Sequence, residues 1–171
     1  MKKLTLLIAI LLVVGFSTNA FAQPNVSATA TATGTIIAPI AISKTVDMNF
    51  GNIVSGAALG TVVLTPAGIR SVTGGAFLPT AVPGTITAAS FTVTGAASFT
   101  YAITLPAAAT TVTSGANTMT VDTWTSTPTV TGILTAGTQT LTVGGTLHVG
   151  ASQAAGTYVS ATPFTVTVAY N

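Results

Sequence analysis

The sequence has no cysteine and no glutamate, and very little charge of either sign. Beyond residue 22 only Lys44, Asp47, Arg70 and Asp122 carry charged side chains, and His148 is the single histidine. Each shortage excludes something. Without cysteine there is no disulfide framework and no thiolate to bind zinc. Two carboxylates and one imidazole give acid–base chemistry few places to sit. Lysine, glutamate and arginine, the good formers of surface helix, are nearly missing, which argues against a helical fold. Threonine, alanine, valine and glycine fill the chain instead, the composition of an exported β-structure. The expectation is a structural or adhesive protein, not an enzyme, with no cofactor.

The N-terminus points to export. Lys2 and Lys3 precede an apolar run at residues 4–16, LTLLIAILLVVGF, and Ala20-Phe21-Ala22 is an A-x-A cleavage site. Residues 1–22 read as a secretory signal peptide cut after Ala22. The apolar run is short of the roughly 20 residues that span a bilayer. The formal charge of +2 matches Lys2 and Lys3 alone, because Lys44 and Arg70 balance Asp47 and Asp122. The mature chain therefore gives no reason to expect nucleic acid as a partner. Neutrality also removes repulsion between copies. The expected location is periplasm to cell surface, with the protein held on a surface or associating.

Alternation with period two recurs along the chain, which is the strand signature. The clearest runs are residues 61–64 (TVVL), 89–94 (ASFTVT), 98–105 (SFTYAITL), 118–125 (TMTVDTWT), 138–149 and 164–170 (FTVTVAY). In the last run Phe164, Val166, Val168 and Tyr170 share one face and Thr165, Thr167 and Ala169 the other. Turn signals separate the runs: Pro66-Ala-Gly68, Gly74-Gly75, Pro83-Gly84, Gly95, Ser114-Gly115, Gly132, Ala136-Gly137 and Ala155-Gly156. Gly144-Gly145 interrupts the longest run and is read as a bulge or a sharp bend in preference to a two-residue hairpin turn. The spacing predicts an all-β sandwich of about 7–9 short antiparallel strands. An outer-membrane barrel is the weaker reading, since its strands need about 9–11 residues. The sandwich is expected over residues 38–171. Before it, residues 23–37 form an arm in which Val26, Ala28, Ala30, Ala32, Gly34 and Ile36 alternate strictly with serine and threonine. Such a small apolar face buries little area, so backbone pairing must supply most of what holds it.

Few residues invite a chemical reading. His148 is a base or metal ligand only if partners exist, and it is expected as an exposed residue of a strand whose Leu147 and Val149 face the other way. Asp47 and Asp122, with Asn49 or Asn52, are too scattered for calcium. They are read as a turn residue beside Lys44 and a strand-face residue beside Trp124. Trp124 and Tyr101 are read as packing before sugar stacking. Asn25-Val-Ser27 fits the N-glycosylation pattern, which is frequent by chance.

Several elements taken together carry a resemblance: residues 28–42 (ATATATGTIIAPIAI), Met48-Asn-Phe-Gly-Asn-Ile53, Phe91-Thr-Val-Thr-Gly95, Tyr101-Ala-Ile-Thr-Leu-Pro106, Val143-Gly-Gly-Thr-Leu147, Gly156-Thr-Tyr158 and residues 164–170. The mature chain resembles a bacterial family of secreted proteins named only as a domain of unknown function, DUF4402. Its layout is also similar to spore-coat-U-like domains and archaic chaperone–usher pilus subunits, although it lacks their common cysteines and its arm offers alanine in place of larger residues. That resemblance implies an incomplete immunoglobulin-like, pilin-like sandwich. It implies a donor strand at Val26, Ala28, Ala30, Ala32, Gly34 and Ile36. It implies an assembly edge at Gly156, Tyr158, Phe164, Val166, Val168 and Tyr170. The implied partners are other copies or pilin-like subunits, a periplasmic chaperone and an outer-membrane usher. The alternative is a self-complete monomeric binding module whose arm folds back as its own first strand.

Overall fold

The computed structural model describes residues 24–171; the signal-peptide reading of residues 1–22 lies outside them. The described residues fall into two units, residues 24–35 and Ile36–Asn171. In the first, residues 24–35 belong to no strand and their side chains are exposed.

The second unit is all-β, with one 3-10 turn at Thr135–Gly137. Its strands are β1 (Ala41–Val46), β2 (Asn49–Phe50), β3 (Val54–Leu64), β4 (Arg70–Phe77), β5 (Ile86–Thr87) and β6 (Ala89–Thr94), then β7 (Thr100–Thr104), β8 (Thr110–Ser114), β9 (Asn117–Thr127), β10 (Thr131–Ile133), β11 (Thr138–Val149) and β12 (Thr167–Tyr170). The described residues thus hold twelve strands, more than expected from spacing. Three of them, β3, β9 and β11, run to 11 or 12 residues. They are long because bulges absorb their irregularities without ending the pairing. Two expected turns are corrected for the same reason: Gly74-Gly75 lies inside β4 and Gly132 inside β10.

Every pairing is antiparallel. One sheet of seven strands is ordered β1-β6-β11-β3-β4, with β9 along the other edge of β11 and β8 beyond it. The other layer holds a three-stranded sheet, β10-β7-β12, and a two-residue ladder between β2 and β5. β11 is the hub. Residues 138–143 pair with β6, residues 145–149 pair with β3, and residues 142–148 pair with β9. Gly144 stands where the neighbour changes, and a Cβ there would strike the Leu64 carbonyl oxygen. β11 runs through Gly144-Gly145 as one strand, so the hairpin is excluded, but the bulge read there is corrected: between Gly144 and Thr146 one residue of β11 faces two of β9, and the extra residue lies on β9.

Two apolar clusters lie between the layers. The first joins Val93, Tyr101, Ile103, Leu134, Leu141, Val143 and Val166 under the three-stranded sheet. Tyr101 is fully buried, and its hydroxyl donates to Gln139 Oε1 at 2.9 Å. The second joins Val62, Ala76, Val121, Leu147 and Val149. Only the short β2–β5 ladder and irregular chain lie over it, and that thin cover creates the feature described next.

Candidate functional site

An open groove of about 830 Å³ lies over the second cluster. Its floor is Ala89 and Phe91 of β6, Val112 of β8, Val121 and Trp124 of β9, and Leu147 of β11. Its rim is built from residues 44–53, which follow the start of β1, and residues 156–164, which lead towards β12. A smaller cavity of about 350 Å³ shares Ile53, Met119 and Gly156 with it.

Trp124 reaches this groove because of a backbone irregularity. In an unbroken strand it would share the outer face with Asp122. Thr123 instead adopts a φ of 51°, and the β9–β11 register slips beside it. The extra residue turns Trp124 to the face of Val121. Its indole then packs on Phe164, ring centroids 4.4 Å apart. The same bulge explains why the alternation of residues 118–125 has a fault at Trp124. Packing, the reading made for Trp124 from sequence, agrees with this contact.

The rim is held by polar bonds to backbone. Arg70 donates through its guanidinium to the Phe50 carbonyl and, at 3.0 Å, to the Asn52 carbonyl. Gln153 Nε2 donates to the Tyr158 hydroxyl at 2.8 Å, and that hydroxyl donates to the Ala154 carbonyl at 2.7 Å. Thr113 and Val159 form an isolated bridge that ties the last stretch to β8. Lys44 and Asp47 pair at 2.6 Å on the exposed rim, as a turn residue beside a lysine should.

The assembly-edge residues separate into three groups. Gly156, Tyr158 and Phe164 line the groove. Val166 is buried in the first cluster. Val168 and Tyr170 lie in β12, an edge strand that pairs only with β7. The strand expected over residues 164–170 is shorter than read, beginning at Thr167, yet its inward alternation persists through Phe164 and Val166. Val26, Ala28, Ala30, Ala32 and Gly34, with Ile36 at the start of the second unit, are exposed and belong to no strand. The opposite rim, Met48, Phe50 and Ile53, was not among the residues singled out. Its signal was present in the Met48-Asn-Phe-Gly-Asn-Ile53 element.

His148 and Asp122 meet on the outer face, His148 Nε2 standing 2.7 Å from Asp122 Oδ1 across the β9–β11 pair. The His148 hydrogen bond, followed by one from Thr123, lowers the Asp122 carboxyl below its ordinary value. Both side chains are more than a third exposed, so the pair is worth little in stability. Sequence reading placed each residue on an exposed strand face without joining them.

No curated protein and no solved structure matches the chain. A family model does, described as a domain of unknown function, DUF4402, over residues 40–170. That span begins one residue before β1 and ends on the last residue of β12, so it takes in both sheets, both clusters and the whole groove. On that match the chain belongs to the DUF4402 family.

Proposed function

We propose that this chain is a non-catalytic subunit of an extracytoplasmic filament or coat, assembled by strand donation between copies. In this reading the domain is an immunoglobulin-like, pilin-like sandwich whose second layer lacks a strand. Residues 26–36 of one copy supply it to the groove of the next. Backbone pairing beside the groove gives affinity, and the alternate side chains of the arm enter it. A periplasmic chaperone and an outer-membrane usher are the partners such an assembly would use. The observation that carries the reading is a single pairing of facts. A groove with an apolar floor lies open between residues 44–53 and 156–164, while residues 24–40 contribute to no strand of their own chain.

The size relation supports it. The groove floor already holds Phe91 and Trp124, so a donor faced with alanine and glycine needs little depth. Eleven extended residues at roughly 3.3 Å each reach about 36 Å, enough to run the length of a sandwich edge.

The test is an insertion of one alanine after Thr31. It moves every apolar position N-terminal to it onto the opposite face. The exported parent should run as an SDS-resistant ladder that collapses on boiling. The insertion should abolish the ladder and leave the thermal midpoint of the domain unchanged. A parent that is monomeric before boiling, or an insertion that assembles like the parent, overturns the proposal. A monomer would return the groove to the reading of a binding module.

A further inference from the structure

Two features of β9 meet at Thr123. On the outer face of the seven-stranded sheet, one oxygen of Asp122 has two partners. His148 Nε2 stands 2.7 Å from Asp122 Oδ1, and Thr123 Oγ1 donates to the same oxygen at 2.9 Å. On the inner face the next residue, Trp124, lines the groove. Thr123 is the joint between the two faces, and its φ of 51° is left-handed. Glycine takes that conformation freely, whereas a β-branched residue is strained in it. Such backbone persists only where its surroundings impose it.

The two faces contribute differently. Inside, the register sets Gly145 opposite Thr123 and Trp124. A Cβ on Gly145 would stand 3.2 Å from Trp124 Cε3, so the indole lies close across that position. The ring packs on Phe164, and Nε1 donates to the Ala108 carbonyl at 3.4 Å. These contacts receive the indole once it points inward; they act on the ring and not on the strained residue. Outside, Thr123 is tied to the Asp122 carboxylate, which is tied in turn to His148 on the neighbouring strand. Those two bonds are also what lowers the Asp122 carboxyl, so the network holds the charged form.

We propose that Asp122 and His148 are positioning residues for the groove: from the opposite face of the sheet they brace the Thr123 bulge that seats Trp124 on the floor. An exposed pair adds little to global stability. Here it fixes a local geometry. For capture of an arm, a consequence that rests on the strand-donation reading, the floor is shaped from outside the groove. A change at Asp122 or His148 therefore alters capture, although neither residue lines the groove.

Trp124 is the single tryptophan, so its near-ultraviolet circular dichroism and its quenching by acrylamide report the seat of the indole in the full exported protein. Asp122→Ala should keep a thermal midpoint close to the parent's, lose the tryptophan band and quench more readily. His148→Leu removes one of the two partners and should give a smaller loss in the same direction; it carries the test if Asp122→Ala does not fold. In a Thr123→Gly background the left-handed backbone is unstrained, so adding Asp122→Ala should make no difference. A synthetic peptide of residues 26–36 should bind Asp122→Ala roughly two- to tenfold more weakly than the parent. Parental band and quenching in folded Asp122→Ala and His148→Leu overturn the brace, as does an equal loss from Asp122→Ala in the Thr123→Gly background. A peptide that binds neither parent nor variant overturns strand donation, while the band and the quenching still decide the brace.

Discussion

Tyr101 shows how one buried residue gives the fold a pH limit. It is the largest fully buried side chain, and burial raises its phenol above the ordinary value of 10.0. The folded state holds the proton that the unfolded chain gives up first. Below pH 10 both states are protonated and stability does not change on this account. Above it the unfolded state binds fewer protons, so stability falls as pH rises through the window between the ordinary and the raised value. One such group sets a slope of at most about 1.4 kcal/mol per pH unit. Thermal midpoints measured from pH 8 to 11.5 should therefore drop at the alkaline end. Tyr101→Phe should flatten that limb while costing about 1 kcal/mol at neutral pH, through the lost bond to Gln139. An alkaline limb equal in the two proteins would place the titration elsewhere.

At the scale of the element, the C-terminal stretch tests whether face or position matters. Burial alternates from Phe164 to Tyr170, with Val166 buried and Thr167 exposed. Val166→Asp places a carboxylate in the first cluster with no partner and should cost about 3–5 kcal/mol. Thr167→Asp should cost about 0.5 kcal/mol or less. Urea unfolding of both variants checks this, and equal losses would mean that the stretch is covered on both faces. The same alternation decides what the sequence made legible. Residues 89–94 and 138–149 coincide with β6 and β11 to the residue, because their apolar positions are large and regular. β1, β4 and β8 carry mostly serine, threonine, glycine and scattered apolar residues, and all three lie at edges of the seven-stranded sheet. Local pattern says little about such strands. Of the groove, the rim at Gly156, Tyr158 and Phe164 was readable, while the floor at Trp124 was not. A bulge at Thr123 put it there, and a period-two count cannot anticipate a slipped register.

For the whole molecule, proteolysis reports how firmly these parts hold. Between residues 24 and 171 trypsin has only Lys44 and Arg70 to cut after. Lys44 lies on an edge strand beside a bulge, with about half of its side chain exposed. Arg70 is engaged on two backbone carbonyls. The first cut should come after Lys44 and take hours, since cleavage waits on local opening of the strand. Mass spectrometry of the first fragment checks the site, and a first cut after Arg70 or loss of the chain within minutes would contradict it. The central place of β11 has one further consequence, for the time at which the protein becomes itself. β11 is the eleventh of twelve strands, yet β3, β6 and β9 all pair with it and both clusters depend on it. A chain that emerges N-terminus first cannot complete either cluster until residues 138–149 have appeared. Until then three strands wait with unsatisfied edges, the condition in which β-rich chains aggregate. With so few charges to keep copies apart, the nascent protein is a natural client for whatever shields strands during that interval.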